Sequence, residues 1–204
     1  MSTVHIPADG TMDVVFPMDA RTLPRDHAQA LQQALCAQWP WLAAEPLAGI
    51  HPIKVVHGLG ESALLSQRVR LVLRVGAPRA AELLAFQGIA LQVAGETLRL
   101  GAPHLRELPP HATLYAYRVA ADSADELAFM AAVDRELGEL GIGGVPVCGL
   151  HHRMQVSGRP VDTFSLMLHQ LAPQQSLLLQ RCGVGPQRLL GCGLFVPHKS
   201  AAAV

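Results

Sequence analysis

One six-element order, strand-helix-strand-strand-helix-strand, occurs twice along the chain and predicts an α+β protein of two tandem ferredoxin-like (RRM-like) βαββαβ domains. Three observations carry that expectation. Gln67 to Val75 alternates between an apolar and an arginine-bearing face, the period of a strand. Ser123 and Glu126 have the spacing of a helix capping box ahead of an apolar-periodic run. Pro109 and Pro110 break the chain between the two copies, so the domains are expected over residues 1–108 and 111–204.

In the first copy, Met12 to Phe16 is a strand, and Pro24 to Gln38 is a helix with Leu31, Ala34 and Leu35 on its apolar face. Ile53 to His57 is a weak strand. Gln67 to Val75 is a strong one, with Val69, Leu71, Leu73 and Val75 on one side and Arg68, Arg70 and Arg74 on the other. Pro78 to Gln87 is the second helix and Ile89 to Val93 the closing strand. In the second copy, Thr113 to Ala120 is a strand and Ser123 to Leu140 a helix ended by Gly141 and Gly143. Arg153 to Val156 and Val161 to Leu168 pair as a hairpin across Ser157 and Gly158. Pro173 to Cys182 is a helix with Gly183 as its C-cap, and Leu194 to Val196 is the last strand.

Between that helix and strand lies a glycine lattice, Gly183, Gly185, Gly191 and Gly193. Glycine admits positive φ and close backbone approach, and successive exposed amides in such a turn form a concavity for anions, so a phosphate is the expected ligand. The order helix, loop, strand is the reverse of a Walker loop, and Arg188 is the only cation inside it, which argues against a nucleotide triphosphatase. A Rossmann fingerprint fails on the same order.

The 204 residues carry no net formal charge, but its distribution is uneven. Residues 111–140 hold two arginines against six carboxylates, whereas residues 141–204 hold five cations against one carboxylate. The basic excess lies with the glycine lattice, where Arg153, Arg181, Arg188 and Lys199 can meet phosphates. The arginine face of 67–75 can track a phosphate backbone in the same way. Aromatic residues make up 4% of the chain, and no strand is expected to carry the interleaved pair on which bases stack. No apolar stretch suggests export or membrane insertion, and four scattered cysteines fit reduced thiols, so a cytoplasmic protein is expected. Metal catalysis finds no clustered ligands, and no cofactor is expected.

Taken with its position near the C-terminus, GVGPQRLLGCGLFVPHK resembles the glycine-rich loop of the repeat-associated RNA-binding superfamily of CRISPR proteins. It looks like the end of their short repeat-specific RNA-processing endoribonucleases. FPMDARTLPRDHAQAL is a second point of resemblance, because those nucleases often place a histidine at the start of the first helix, here His27. The resemblance implies RNA cleavage without metal. A base takes the proton of a 2′-hydroxyl, which attacks the adjacent phosphorus, while an acid protonates the departing 5′-oxygen. A histidine suits either role near neutral pH, and a helix N-terminus favours the phosphate. His51 and Lys54, after the first helix, match assisting positions, with His57 behind them; His151 and His152 could touch RNA.

The implied function is a metal-independent endoribonuclease that binds the repeat hairpin of CRISPR precursor RNA and cuts at its 3′ base, leaving a 2′,3′-cyclic phosphate and a 5′-hydroxyl. It would remain on its product within an RNA-guided effector complex. The alternative is a non-catalytic RNA-binding subunit of such a complex. A cyclic phosphodiesterase is a more distant rival, from His111-Ala-Thr113 and His198-Lys-Ser200.

Overall fold

The computed structural model describes residues 10–55 and 62–198. The chain divides into two compact units, Met1–Glu107 and Leu108–Val204.

In the first unit β1 (Thr11–Asp19) is the centre of a mixed-length antiparallel sheet. It pairs with β5 (Arg70–Gly76) through seven residues, from Thr11↔Gly76 to Pro17↔Arg70. Beyond β5 lies β3 (Gly49–Ile50), and on β1's other side lies β8 (His104–Arg106). Helix α1 (Ala28–Gln38) follows β1, and α2 (Ala77–Leu83) follows β5, which completes the βαββαβ order. Leu31 and Leu35 of α1 are buried, as are Leu71, Leu73 and Val75 of β5. Apolar side chains at helical and strand periods thus meet in one core.

Four details differ from the sequence expectation. The first helix begins at Ala28 instead of Pro24, because Thr22–Pro24 is itself a strand, β2, paired with β4 (Ser62–Leu64). The partner of β5 is Gly49–Ile50, whereas residues 51–55 are irregular and His57 lies outside the described residues. Helix α2 ends at Leu83, short of Gln87. Finally, β6 (Ala90–Val93) does not close the sheet as a fourth ferredoxin strand. It folds back on β7 (Glu96–Leu100) across Ala94 and Gly95, both at positive φ, and β7 touches only the far end of β1. The strand in the fourth position is His104–Arg106, too short to show a period.

The second unit has the plain ferredoxin-like order β10-β11-β9-β12. Its strands are β9 (Leu114–Ala121), β10 (Val145–Val156), β11 (Arg159–His169) and β12 (Val196–Pro197). Ser157 and Gly158 make the β10–β11 turn at φ of 51° and 75°. Helices α3 (Glu126–Glu139) and α4 (Pro173–Cys182) cover one face, where Leu114, Ala116, Val119, Phe129, Val133 and Phe164 share a core. The N-cap of α3 is Asp125 and not Ser123. Its carboxylate accepts from the amides of Leu127 and Ala128, at 2.9 and 3.4 Å, while the Ser123 hydroxyl accepts from Asp125 N. No described helix is long and apolar enough to cross a membrane.

Candidate RNA-processing site

The strand pair β2–β4 and the turn after Pro24 deliver His27 to the N-cap position of α1. Its carbonyl accepts from Leu31 N at 2.8 Å, the first bond of the helix. The imidazole is not the surface group a first-turn histidine usually is: the residue is 7% exposed, and Nδ1 lies 2.7 Å from the Pro24 carbonyl oxygen. A carbonyl only accepts, so Nδ1 carries a proton and donates it to Pro24 O. The N-terminus of α1 adds positive potential beside it.

His51 lies elsewhere. It follows β3, its amide bonded to Val72 O at 2.9 Å, and its ring joins a buried charge cluster at the middle of the sheet. At that cluster's centre is Asp13 on β1, whose partners in register are Arg74 on β5 and Arg106 on β8. Arg74 Nε donates to Asp13 Oδ1 at 2.8 Å, and Arg106 Nη2 donates to Oδ2 at 2.8 Å. Burial by itself would raise the Asp13 carboxyl, but the His51 ring and the Arg74 guanidinium hold it well below the usual carboxylate range. His51 Nε2 stands 3.4 Å from Asp13 Oδ1 without hydrogen-bond alignment, so the aligned Arg74 ion pair is the firmer cause of that lowering. Burial pushes the His51 imidazole down despite Asp13, with Arg74 and Arg106 adding to the effect.

This cluster corrects the arginine stripe. Arg74 is 1% exposed and bound to Asp13, which removes it from any RNA-facing surface. Arg68 lies in the turn ahead of β5, and Arg70 at the strand's start is exposed and donates to its neighbour's carbonyl, Val69 O. Lys54 is exposed in the irregular segment after His51.

In the second unit all four lattice glycines have positive φ, from 66° to 85°. The first reason is steric. A Cβ on Gly183 would overlap the Gly193 carbonyl oxygen, and one on Gly193 would overlap that of Val184, so two backbones cross here in direct contact. The four amides are also committed. Gly183 N donates to Leu179 O, Gly191 N to Arg188 O, and Gly193 N to Arg118 O on β9. Gly185 N donates to both carboxylate oxygens of Glu136 on α3, each at 3.0 Å. The expected phosphate cradle is therefore corrected at these glycines: an internal carboxylate occupies the one amide that faces an anion. Arg188 is turned inward too, its Nη1 donating to Cys182 O at 2.6 Å and its Nη2 to Arg181 O at 3.0 Å. It caps the C-terminal carbonyls of α4.

Arg181 is exposed in the last turn of α4. Arg153 and His151 both bond Asp162 across the β10–β11 hairpin, at 2.9 and 2.8 Å, and His152 is exposed beside them. Lys199 lies outside the described residues. The expectation that no strand carries an interleaved aromatic pair is corrected: Tyr115 and Tyr117 stand together on β9, ring centroids 5.0 Å apart, with the His198 ring 5.4 Å from Tyr115. The signal was present in Leu-Tyr-Ala-Tyr and was outweighed by the low aromatic content. The rival phosphodiesterase motifs approach through backbone, His198 N to Thr113 O at 3.1 Å, but Ser200 lies outside the described residues.

The Cas6 CRISPR family model matches residues 12–200. A CRISPR-associated endonuclease Cas6 of Myxococcus xanthus (strain DK1622) is 36% identical over 194 residues, covering 95% of this chain and 84% of that protein. Among solved structures, a CRISPR-associated protein Cas6 superposes with a TM-score of 0.66 at 10% identity, over 93% of this chain and all of that one. Thermus thermophilus Cse3, bound to an RNA representing a pre-cleavage complex, gives 0.52 at 17% identity over 92% of this chain and 98% of that one. With the tandem ferredoxin-like fold, the helix-capping histidine and the crossed glycine loop in place, the match over nearly the whole sequence makes this chain a member of the Cas6 family.

Proposed function

We propose that the chain is a metal-independent endoribonuclease that binds the repeat hairpin of CRISPR precursor RNA and cleaves it by attack of a 2′-hydroxyl. The observation that carries this reading is His27. Its Nδ1 proton is held by Pro24 O, which orients the ring at a helix N-terminus and assigns the chemistry to Nε2. A relative described as a CRISPR-associated endonuclease, 36% identical, supports the class of reaction. In this reading residues 1–108 carry the chemistry and contribute the exposed Arg68 and Arg70 to phosphate binding, while residues 111–204 grip RNA with the exposed Arg153 and Arg181. Gly183, Gly185, Gly191, Gly193 and Arg188 shape the loop and give the RNA a rigid surface. Lys54 is assigned the role of balancing charge on the phosphorus. His51, its ring beside Asp13 and its pKa lowered by burial, belongs to the charge cluster of the first unit's sheet and does not act on the scissile phosphate. The product carries a 2′,3′-cyclic phosphate and stays bound within an effector complex in the cytoplasm.

The test is single-turnover cleavage of repeat RNA in EDTA, with a 2′-deoxy nucleotide at the scissile position as control. The wild-type protein should cut the first RNA and spare the second. His27→Ala, and His27→Asn, whose amide can still donate to Pro24 O, should bind RNA normally and cut at least about 10²-fold more slowly. Normal cleavage by folded His27→Asn would remove His27 from the site. An absolute need for added magnesium would overturn the mechanism, and binding without product would leave the non-catalytic subunit as the function.

A further inference from the structure

Strand β9 carries a bulge that decides where Arg118 points. Phe164 of β11 stands opposite Val119, and Leu166 opposite Ala116, so Ser165 alone faces two residues, Tyr117 and Arg118. In an unbroken strand residue 118 would share the core side with Leu114 and Ala116. The extra residue lets Val119 take the core position instead and turns the Arg118 side chain to the opposite face of the sheet. Among the described residues, Arg74, Arg79, Arg118 and Arg188 are the arginines that the fold shelters at least in part. Arg74 is matched by the Asp13 carboxylate, Arg79 by Glu45 and Glu82, and Arg188 by the carbonyls of Cys182 and Arg181. Arg118 is the exception: its guanidinium meets neither a carboxylate nor a carbonyl among the described residues, and its nitrogens reach solvent.

That charge sits at the glycine loop. The Arg118 carbonyl accepts from Gly193 N at 2.8 Å, and the next two residues, Val119 and Ala120, lie against Gly185. Burial pushes the Cys192 thiol up to about 11, and the charge that pulls against this rise is that of Arg118. The lattice amides and Arg188 are committed to partners inside the protein, so Arg118 brings the loop the donors they do not offer. A guanidinium whose stem is sheltered and whose backbone is anchored is pre-organised for an anion that presents two oxygens to its fork, and phosphate has that shape. One fork holds a lone phosphate weakly. The matching ligand is therefore a polyanion that other cations hold too, and residues 141–204 carry five cations against one carboxylate.

We propose that Arg118, turned outward by the β9 bulge, grips a backbone phosphate of the repeat RNA beside the glycine loop. This rests on the reading of the chain as a repeat-RNA endoribonuclease, and it names the loop's phosphate contact, a role that the inward-turned Arg188 and the committed glycine amides leave open.

The experiment measures equilibrium binding across a series of salt concentrations, using repeat RNA with a 2′-deoxy nucleotide at the scissile position so that it stays whole. Wild type is compared with Arg118→Gln, which keeps a polar stem, and with Arg118→Lys, which keeps the charge without the fork; thermal unfolding confirms that each variant is folded. Arg118→Gln should bind about 10- to 100-fold more weakly, the scale for losing a charge-assisted hydrogen-bonded contact, and its slope of log affinity against log salt should be shallower by about one. Arg118→Lys should keep the slope and lose less affinity. A neutral methylphosphonate walked through the RNA one linkage at a time should reproduce the loss at one linkage in wild type and add nothing there in Arg118→Gln. The proposal is overturned if folded Arg118→Gln keeps the wild-type affinity and slope. A loss of affinity at unchanged slope overturns it too, because Arg118 would then act only through the fold of the loop. If wild type itself binds no repeat RNA, the endoribonuclease reading fails with it, which is a distinct result.

Discussion

The two units share a strand order and solve opposite problems at their centres. The first buries side-chain charge: Asp13 and Arg74 lie side by side on adjacent strands, and the exposed Arg106 reaches Asp13 from a third. The second buries backbone, crossing two segments at Gly183 and Gly193 so tightly that neither tolerates a Cβ. A buried ion pair can be weakened one partner at a time, whereas two overlapping backbones have no intermediate state. Residues that look like RNA contacts, Arg74 in one unit and Arg188 in the other, are in both cases consumed by the local solution.

The largest effect is expected where backbone meets backbone. Gly193→Val should cost about 4 kcal/mol or more in urea unfolding, because it combines a steric overlap with positive φ for a β-branched residue. A folded, stable Gly193→Val would break the contrast drawn here. Next, Asp13→Ala leaves Arg74 buried without its carboxylate and should cost about 3–5 kcal/mol. Replacing Asp13 and Arg74 together by apolar residues should recover much of that loss, which a double-mutant cycle would show.

Arg188→Ala should destabilise by about 1–3 kcal/mol through the uncapped carbonyls of Cys182 and Arg181, with the slope of RNA affinity against salt unchanged. A slope reduced by about one at unchanged stability would return Arg188 to the phosphate-binding surface. The smallest effect is a pH dependence. His51 has a folded-state pKa below its unfolded value near 6.5, so its neutral form contributes stability that is present above that pH and falls away as pH drops below it. His51→Gln should flatten unfolding free energy against pH below about 6.5, where the wild type declines.

The βαββαβ order of the second unit, the α4 helix with its glycine stop and the β10–β11 turn at Ser157-Gly158 were all legible in the sequence. Each depends on neighbours within a few residues, and local periodicity or φ preference encodes them directly. His27 was singled out by the resemblance, and the helix start that carries it lies at Ala28 instead of the expected Pro24. What the sequence could not decide was partnership across long separations. The alternation of β5 places Arg74 beside Arg70, and only Asp13, 61 residues away on β1, makes it a core residue. The glycine lattice announces positive φ, but Glu136 reaching Gly185 N from α3 decides what fills the turn. Tyr115 and Tyr117 are two letters in a chain poor in aromatics, and only the pleat of a central strand gathers them with His198 on one face. Local conformation follows from short-range sterics and periodicity, whereas a charge's partner and a ring's exposure are set by strands that meet only once the chain has folded.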